Sequence, residues 1–226
     1  MQNEIEAFLR ENADEKKAKF DGGLIHTKYK IWGIKTKNIE DFSKKLAKKG
    51  AKIEDFHISS LEEVLLAGLT IAYSKISNKE KLERLEKLLP YMDNWGATDM
   101  IVPRLKNMEE ERGFFENLLH HANPFYVRTG IVWLKRFVLK NDLENVITML
   151  SKVTHPDYYV KMALAWTYQE ALTIDFDYMY KFTASLQDEF IKLKTISKAC
   201  DSYRLTIEQK EKLKEFRLQA KYRLEN

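Results

Sequence analysis

Apolar side chains recur three and four residues apart along almost the whole chain, which is the period of one face of an α-helix. Glycine and proline, which interrupt helices, number only 8 and 4 among 226 residues. No segment requires the alternating pattern of a β-strand. The pattern therefore predicts an all-α protein of helices joined by short connections.

Residues that begin or end helices locate several of these elements. Two helices are predicted to start at capping boxes, Ser60 with Glu63 and Ser77 with Glu80, and the first of them is apolar enough to be central. A last helix follows Thr206. The other predicted helices cover residues 2–12, a charged segment ending before Gly22-Gly23, and 38–49, 109–120, 124–140, 142–151, 156–174 and 176–192. The last helix is expected to turn Ile207, Leu213, Phe216 and Ala220 inward.

Pairs of these helices recur about every 35 to 40 residues, as in stacked helical repeats. The recurrence predicts a HEAT-like α-α superhelix, or α-solenoid, with a concave and partly basic surface. Because no composition break interrupts the array, one domain over residues 1–226 is expected.

Composition narrows the class of protein further. With 44% hydrophobic residues the chain can bury a core, and its formal charge of +4 permits nucleic-acid binding without requiring it. A single cysteine, Cys200, excludes an intramolecular disulfide and fits a reducing compartment, so a cytoplasmic protein is expected. No apolar run approaches the roughly 18 residues of a membrane span, and the acidic N-terminus is unlike a signal peptide.

Common catalytic signatures are missing from the sequence. The five histidines have no second ligand at a spacing used by zinc or iron sites. There is no GxSxG motif, phosphate-binding Walker loop or dinucleotide fingerprint. Neither a metal nor a cofactor is expected.

The first candidate for chemistry is Trp95 with Asp99, four residues apart and so on one face of a helix. Together an indole and a carboxylate attract a cationic ligand through the ring face and through charge. Taken alone, the spacing is more typical of an ordinary helix with a half-buried tryptophan and a solvated aspartate.

A second candidate is the predicted loop from Tyr29 to Lys37, which interleaves aromatic and basic residues ahead of a helix capped near Asn38. Backbone N–H groups at that helix start, with Lys30, Lys35 and Lys37 nearby, can hold a phosphate. A surface lysine cluster beside a core tryptophan is the more common explanation.

Arg128 and Trp166 stand within apolar helical segments. An arginine there is costly unless its guanidinium reaches solvent, an acid or a phosphate, and small residues around Trp166 leave its ring approachable. A core tryptophan and an arginine whose charged end reaches the surface are the common alternatives.

Four stretches of the chain form a recognisable series: Trp32-Gly33-Ile34, Asn94-Trp95 with Asp99, Phe125-Tyr126-Val127-Arg128, and Tyr159 to Trp166. Taken in this order, they resemble the AlkD-like DNA alkylation repair proteins, which are HEAT-like-repeat DNA glycosylases. The resemblance runs from about residue 25 to residue 205, and Ser197–Ala199 with Ser202–Arg204 resemble the short, compact branch of the family.

The resemblance implies hydrolysis of the N-glycosidic bond of cationic N3- or N7-alkylated purines in duplex DNA, with the lesion kept in the helix. By matching position, Asp99 is the expected catalytic carboxylate, Trp95 and Trp166 are the two indoles of the cleft, and Arg128 contacts the DNA backbone. Further DNA contacts are expected from Lys30, Lys35, Lys37 and Lys161. The expected partner of a monomeric enzyme is double-stranded DNA containing alkylated bases.

The sequence also departs from the family. Lys37 and Glu40 stand where the family typically has a proline and an arginine, and Glu40 places a negative charge where phosphate attraction is expected. Phe125 replaces a tryptophan found in many members. Two other functions stay open from the sequence: a HEAT-like protein that binds DNA structures without hydrolysis, and a protein-binding solenoid.

Overall fold

The computed structural model describes residues 1–138 and 142–224, with side chains as far as residue 217. These residues form α-helices and four short 3₁₀ turns, without a β-strand, which confirms the predicted all-α helical-repeat class. The helices are α1 (Gln2–Asn12), α2 (Glu15–Leu24), α3 (Thr36–Lys48), α4 (Leu61–Tyr73), α5 (Asn78–Leu88), α6 (Trp95–Ile101), α7 (Arg112–Leu118), α8 (Pro124–Val138), α9 (Leu143–Leu150), α10 (Tyr158–Leu172), α11 (Phe176–Ser185), α12 (Glu189–Asp201) and α13 (Ile207–Leu224).

Two predicted boundaries are wrong for identifiable reasons. The single helix predicted over 176–192 is two helices, because Asp188 accepts the backbone N–H of Ile191 and begins α12 as its N-cap. The charged helix α2 does not end before Gly22-Gly23 but continues to Leu24, since glycine is tolerated in a last helical turn. The predicted extension of α8 to residue 140 lies outside the described residues.

By its contacts the chain divides into two compact units, Met1–Phe114 and Phe115–Asn226. The single domain expected from the sequence stays a prediction. In the first unit, α4 is the central helix, as predicted: every residue from Leu61 to Ala72 is buried, and α3, α5 and α6 pack against it. A Cβ on Gly68 would lie 2.3 Å from the Cδ1 atom of Ile101, so the missing side chain lets α6 pack directly on α4.

The second unit has α10 between α8 and α12, with α9 packed on α8 and α11 packed on α10. Trp133 on α8 is fully buried and stacks on Phe115, with ring centroids 4.0 Å apart. A Cβ on Gly130 would lie 2.6 Å from the Phe115 carbonyl oxygen. This close packing fixes α8, the helix that carries Arg128.

In the last helix, Leu213 is fully buried and Phe216 is half-buried against Tyr180. The prediction that Ile207 faces inward is wrong, because this side chain is 82% exposed. It stands at the first residue of α13, where the apolar stripe has not yet met the neighbouring helices. Ala220 lies outside the residues whose side chains are described.

Candidate functional site

Trp95 and Asp99 lie one turn apart on α6, which confirms the predicted shared helical face. The helix begins at Trp95 because Asn94, itself fully buried, accepts the backbone N–H of Ala97 at 2.9 Å. Both Trp95 and Asp99 are half-buried. A half-buried indole and a half-buried carboxylate therefore share one face of a short, capped helix.

The Trp95 indole is held by its polar edge. Its Nε1–H donates to the carbonyl oxygen of Leu24, 3.2 Å away at the end of α2. At Gly96 an added Cβ would lie 3.0 Å from the Cδ1 atom of Ile25, so the chain after α2 packs closely against the start of α6. These contacts set the orientation of the ring.

Asp93, just before the cap of α6, ties this helix to the segment from Ile25 to Lys35, which we call the first loop. Its two carboxylate oxygens accept the Thr27 hydroxyl at 2.7 Å and the backbone N–H of Lys28 at 2.9 Å. A further hydrogen bond comes from the Asn94 side chain at 2.9 Å. Sequence reasoning missed this residue, because its partners lie 65 and 66 positions away.

The other end of the first loop is held by Glu62 on α4. This carboxylate is 2% exposed and accepts three successive backbone N–H groups, from Trp32, Gly33 and Ile34, at 2.8–3.3 Å. The backbone N–H of Leu61 donates in turn to the carbonyl of Lys30. Sequence reasoning missed Glu62 because its partners lie 28 to 30 positions away in the chain. The signal that could have identified it is a second carboxylate at the start of an otherwise apolar helix, because a buried carboxylate needs hydrogen-bond donors.

Gly33 allows the first loop to pass directly over the start of α2. Its φ is +74°, and an added Cβ would lie only 2.2 Å from the carbonyl oxygen of Asp14 and 2.3 Å from the backbone nitrogen of Ala18. The backbone N–H of Asp14 donates to the Trp32 carbonyl at 3.0 Å. Only glycine fits here, both in conformation and in space.

The three predicted lysines of this region are all exposed. The Lys30 ammonium lies 3.3 Å from the centroid of the Trp32 ring. Lys35 and Lys37 flank the start of α3, which begins at Thr36 and not near Asn38 as predicted. Asn38 is the third residue of this helix and therefore is not its N-cap; its side chain donates to Asn12 instead.

The unexpected acid at Glu40 has a partner of opposite charge. Its carboxylate lies 2.5 Å from Arg104, which follows α6 in the 3₁₀ turn Val102–Arg104. The Glu40 side chain is 22% exposed and the Arg104 side chain is 33% exposed. The pair offsets the negative charge of Glu40 near the start of α3.

In the second unit, Arg128 on α8 is only 5% exposed. Its Nη1 donates to the backbone carbonyl of Tyr159 on α10 at 2.6 Å. The sequence predicted that this guanidinium needs solvent, an acid or a phosphate; the structure adds a backbone carbonyl as its partner. Arg128 therefore joins two helices, whatever else it contacts.

Trp166 on α10 is half-buried, and the ammonium of Lys135 on α8 lies 3.0 Å from its ring centroid. The indole also lines an open groove of about 410 Å³. The other lining residues are Gln169, Lys198, Asp201, Ser202, Tyr203 and Arg204. Within this groove Tyr203 is fully exposed, and Arg204 forms an ion pair with Glu170.

Lys161 forms an ion pair with Asp188, the N-cap of α12, at 2.8 Å. Burial alone would raise the pKa of Asp188, but the hydrogen bonds from Lys161 and from the backbone of α12 lower that pKa below its usual range. Lys161 is thus engaged within the protein, with 27% of its side chain exposed.

The structure places Trp95, Asp99, Lys30, Lys35 and Lys37 in one unit, and Arg128, Lys161 and Trp166 in the other. Among the described residues, no group of three histidine, cysteine or acidic side chains is arranged to hold a metal ion. In the same part of the chain, no helix has the length and apolar character needed to cross a membrane.

The comparisons with known proteins define the class. The family model for the DNA alkylation repair enzyme matches residues 5–200. The chain therefore belongs to the DNA alkylation repair enzyme family. No curated protein and no solved structure matches it.

Proposed function

We propose that this protein is a DNA glycosylase that removes cationic N3- or N7-alkylated purines from duplex DNA. Trp95 and Asp99 carry the proposal: they share one face of α6, in a chain whose family acts in DNA alkylation repair. A role in DNA alkylation repair follows from the family. What we propose beyond it is the reaction, hydrolysis of the N-glycosidic bond, and the lesion, a cationic alkylated purine.

The reaction requires little of the protein beyond a negative charge placed near the sugar of the lesion nucleotide. An alkylated purine that already carries a positive charge is a good leaving group. When the bond between C1′ and the purine nitrogen breaks, its electron pair goes to the base, which leaves neutral, and positive charge develops on the sugar. The Asp99 carboxylate stabilises that charge and the Trp95 ring face supports it. Water then adds to C1′ and loses a proton.

The remaining predicted residues are assigned to DNA contact. Trp166 is the second indole and Arg128 a contact to the DNA backbone. The exposed lysines of the first loop and of the start of α3 are assigned to phosphates, as is the partly exposed Lys161; these exposed lysines are Lys30, Lys35 and Lys37. We further propose that the protein acts as a monomer in the cytoplasm, where its single cysteine suits reducing conditions.

Base release from methylated DNA tests the reaction. Purified protein is incubated with duplexes containing 7-methylguanine or 3-methyladenine, and the free bases are separated by chromatography. We expect release by the native protein and little by Asp99→Asn. Salt-dependent duplex binding without any release would instead favour the non-catalytic DNA-structure-binding protein.

A further inference from the structure

The groove beside Trp166 contains a buried side-chain amide. Gln169 lies three residues after Trp166 on α10, so the two side chains share one face of that helix. Gln169 is 7% exposed and lines the groove. Within the part of the chain that the structure describes, its amide forms no hydrogen bond. Burying an amide without a partner is unfavourable, so this residue type at this position points to a polar ligand.

The other polar groups of the groove indicate what kind of ligand fits. The Gln169 amide offers a carbonyl acceptor and an NH2 donor side by side. Lys198 is half-buried and forms no ion pair among the described residues, and Asp201 adds an exposed carboxylate. A phosphate alone would leave the Gln169 carbonyl unpaired and would be repelled by Asp201, because a phosphate only accepts hydrogen bonds and is itself negative. The lining therefore favours a ligand with adjacent donors and acceptors.

Aromatic side chains supply the remaining surface of the groove. Trp166 is half-buried, and Tyr203, in the turn after α12, is fully exposed. Nucleobases stack on such rings whatever their sequence, and their edges carry the adjacent donors and acceptors that an amide pairs with. The groove volume of about 410 Å³ lies within the range of small-ligand sites. Ring, amide and volume together match the face, the edge and the size of one base.

We propose that this groove binds an unpaired nucleobase of DNA, whose face packs on the aromatic side chains and whose edge hydrogen-bonds to Gln169. A paired base satisfies neither contact, because its edge is occupied by its partner and its faces by its neighbours. Lys198 meets the phosphate of the unpaired nucleotide. This recognition goes beyond the proposed function, since excision of a base from an intact duplex does not require it. It rests on that function only in that the ligand is DNA.

Binding to undamaged duplexes that differ at one position tests the proposal. One duplex is fully paired, one carries a single extra adenine in one strand, and one carries an abasic tetrahydrofuran residue in place of that adenine. The last two share the bulge and differ only in the base. By fluorescence anisotropy we expect the native protein to bind the adenine bulge about tenfold or more tightly than the abasic bulge, as one stacked and hydrogen-bonded base predicts. Equal affinities for the two bulges overturn the proposal.

Two variants assign the preference to the groove. Gln169→Met keeps the length of the side chain and removes both hydrogen-bonding groups. It should reduce the adenine preference about fivefold or more and leave the affinity for the abasic bulge unchanged. Because the amide has no partner within the described protein, this variant should unfold at the native urea concentration or a higher one. Tyr203→Ala removes a fully exposed ring, so it too should lower the preference and keep the native stability.

The matched control is Gln187→Met. Gln187 is exposed, donates to the carbonyl of Ser185 at 2.9 Å and does not line the groove, so its variant should keep the native adenine preference. A native preference in Gln169→Met contradicts the proposal. A clearly lower urea midpoint in Gln169→Met also contradicts it, because the amide would then have its partner within the protein.

Base release from methylated duplexes, measured in parallel, separates this proposal from the glycosylase. None of the three binding duplexes contains an alkylated base, so their binding does not depend on the reaction. Release without an adenine preference rejects the groove proposal alone. An adenine preference without release rejects the glycosylase alone.

Discussion

The buried carboxylate of Glu62 accepts the backbone N–H of Gly33 at 2.8 Å. Through this bond and its neighbours, a core helix holds the loop that displays Lys30 and Lys35 at the surface. Asp93 holds the same loop from α6, the helix of Trp95 and Asp99. Glu62 and Asp93 are not expected to contact DNA themselves. Through these hydrogen bonds they determine where the lysines of the first loop lie relative to Trp95 and Asp99.

Replacing Glu62 by glutamine should destabilise the protein by about 1–3 kcal/mol, because the carboxamide removes the negative charge that strengthens three backbone N–H hydrogen bonds and places an NH2 donor where one of the two oxygens stood. For a chain of this size that corresponds to a fall in melting temperature of roughly 2–12 °C. Glu83→Gln, at an exposed position on α5, is the control and should change stability by less than about 0.5 kcal/mol. Equal effects of the two variants would contradict the role given to Glu62.

Alanine substitutions at two glycines distinguish the cost of steric crowding from the cost of backbone strain. Gly33 and Gly50 have nearly the same φ, +74° and +73°, but only Gly33 has backbone atoms where a Cβ would stand. Gly50→Ala should cost about 1–2 kcal/mol, the strain of a left-handed alanine. Gly33→Ala should cost clearly more, measured by urea unfolding. If the two costs are the same, the first loop is not packed against α2 as described.

Asp93→Ala should free the first loop from α6 without unfolding the unit. The Lys28 amide loses a charge-assisted hydrogen bond, so its hydrogen exchange should accelerate about ten- to a hundredfold. The Gly33 amide, held by Glu62, serves as the internal control and should exchange at its native rate. If the Lys28 amide of Asp93→Ala exchanges at its native rate, Asp93 does not hold the first loop to α6.

The ion pair of Lys161 with Asp188 predicts a pH-dependent stability. Because the folded state lowers the pKa of Asp188, the pair stabilises the protein above the unfolded pKa of about 3.9, and this contribution is lost as pH falls through the lower folded value. Asp188→Asn keeps an N-cap and removes the charge. It should be less stable than the native protein by about 0.5–1 kcal/mol at pH 7, with the difference shrinking below about pH 4. Urea titrations from pH 3 to 7 measure it, and a difference that does not depend on pH would rule out the charge as its cause.

The parts of the fold that follow from local chemistry could be predicted from the sequence. Ser60 with Glu63 begins α4 as expected, and the spacing of Trp95 and Asp99 suffices to place them on one face. The contacts that could not be predicted join residues far apart in the chain. Arg128 meets a backbone carbonyl, a group that every residue has and no residue type reveals. Lys135 meets Trp166 because α8 and α10 pack in a register that only the folded unit defines.

The central claim is that Asp99 is the carboxylate that stabilises charge developing on the sugar. Its most direct test is the single-turnover rate of 7-methylguanine release from a duplex by the native protein, by Asp99→Asn, and by Asp41→Asn, an exposed acid on α3. We expect Asp99→Asn to slow release by about 100-fold or more, as when a group that stabilises transition-state charge is removed, and Asp41→Asn to keep the native rate. Release by Asp99→Asn at the native rate, or no release by the native protein, would contradict the account.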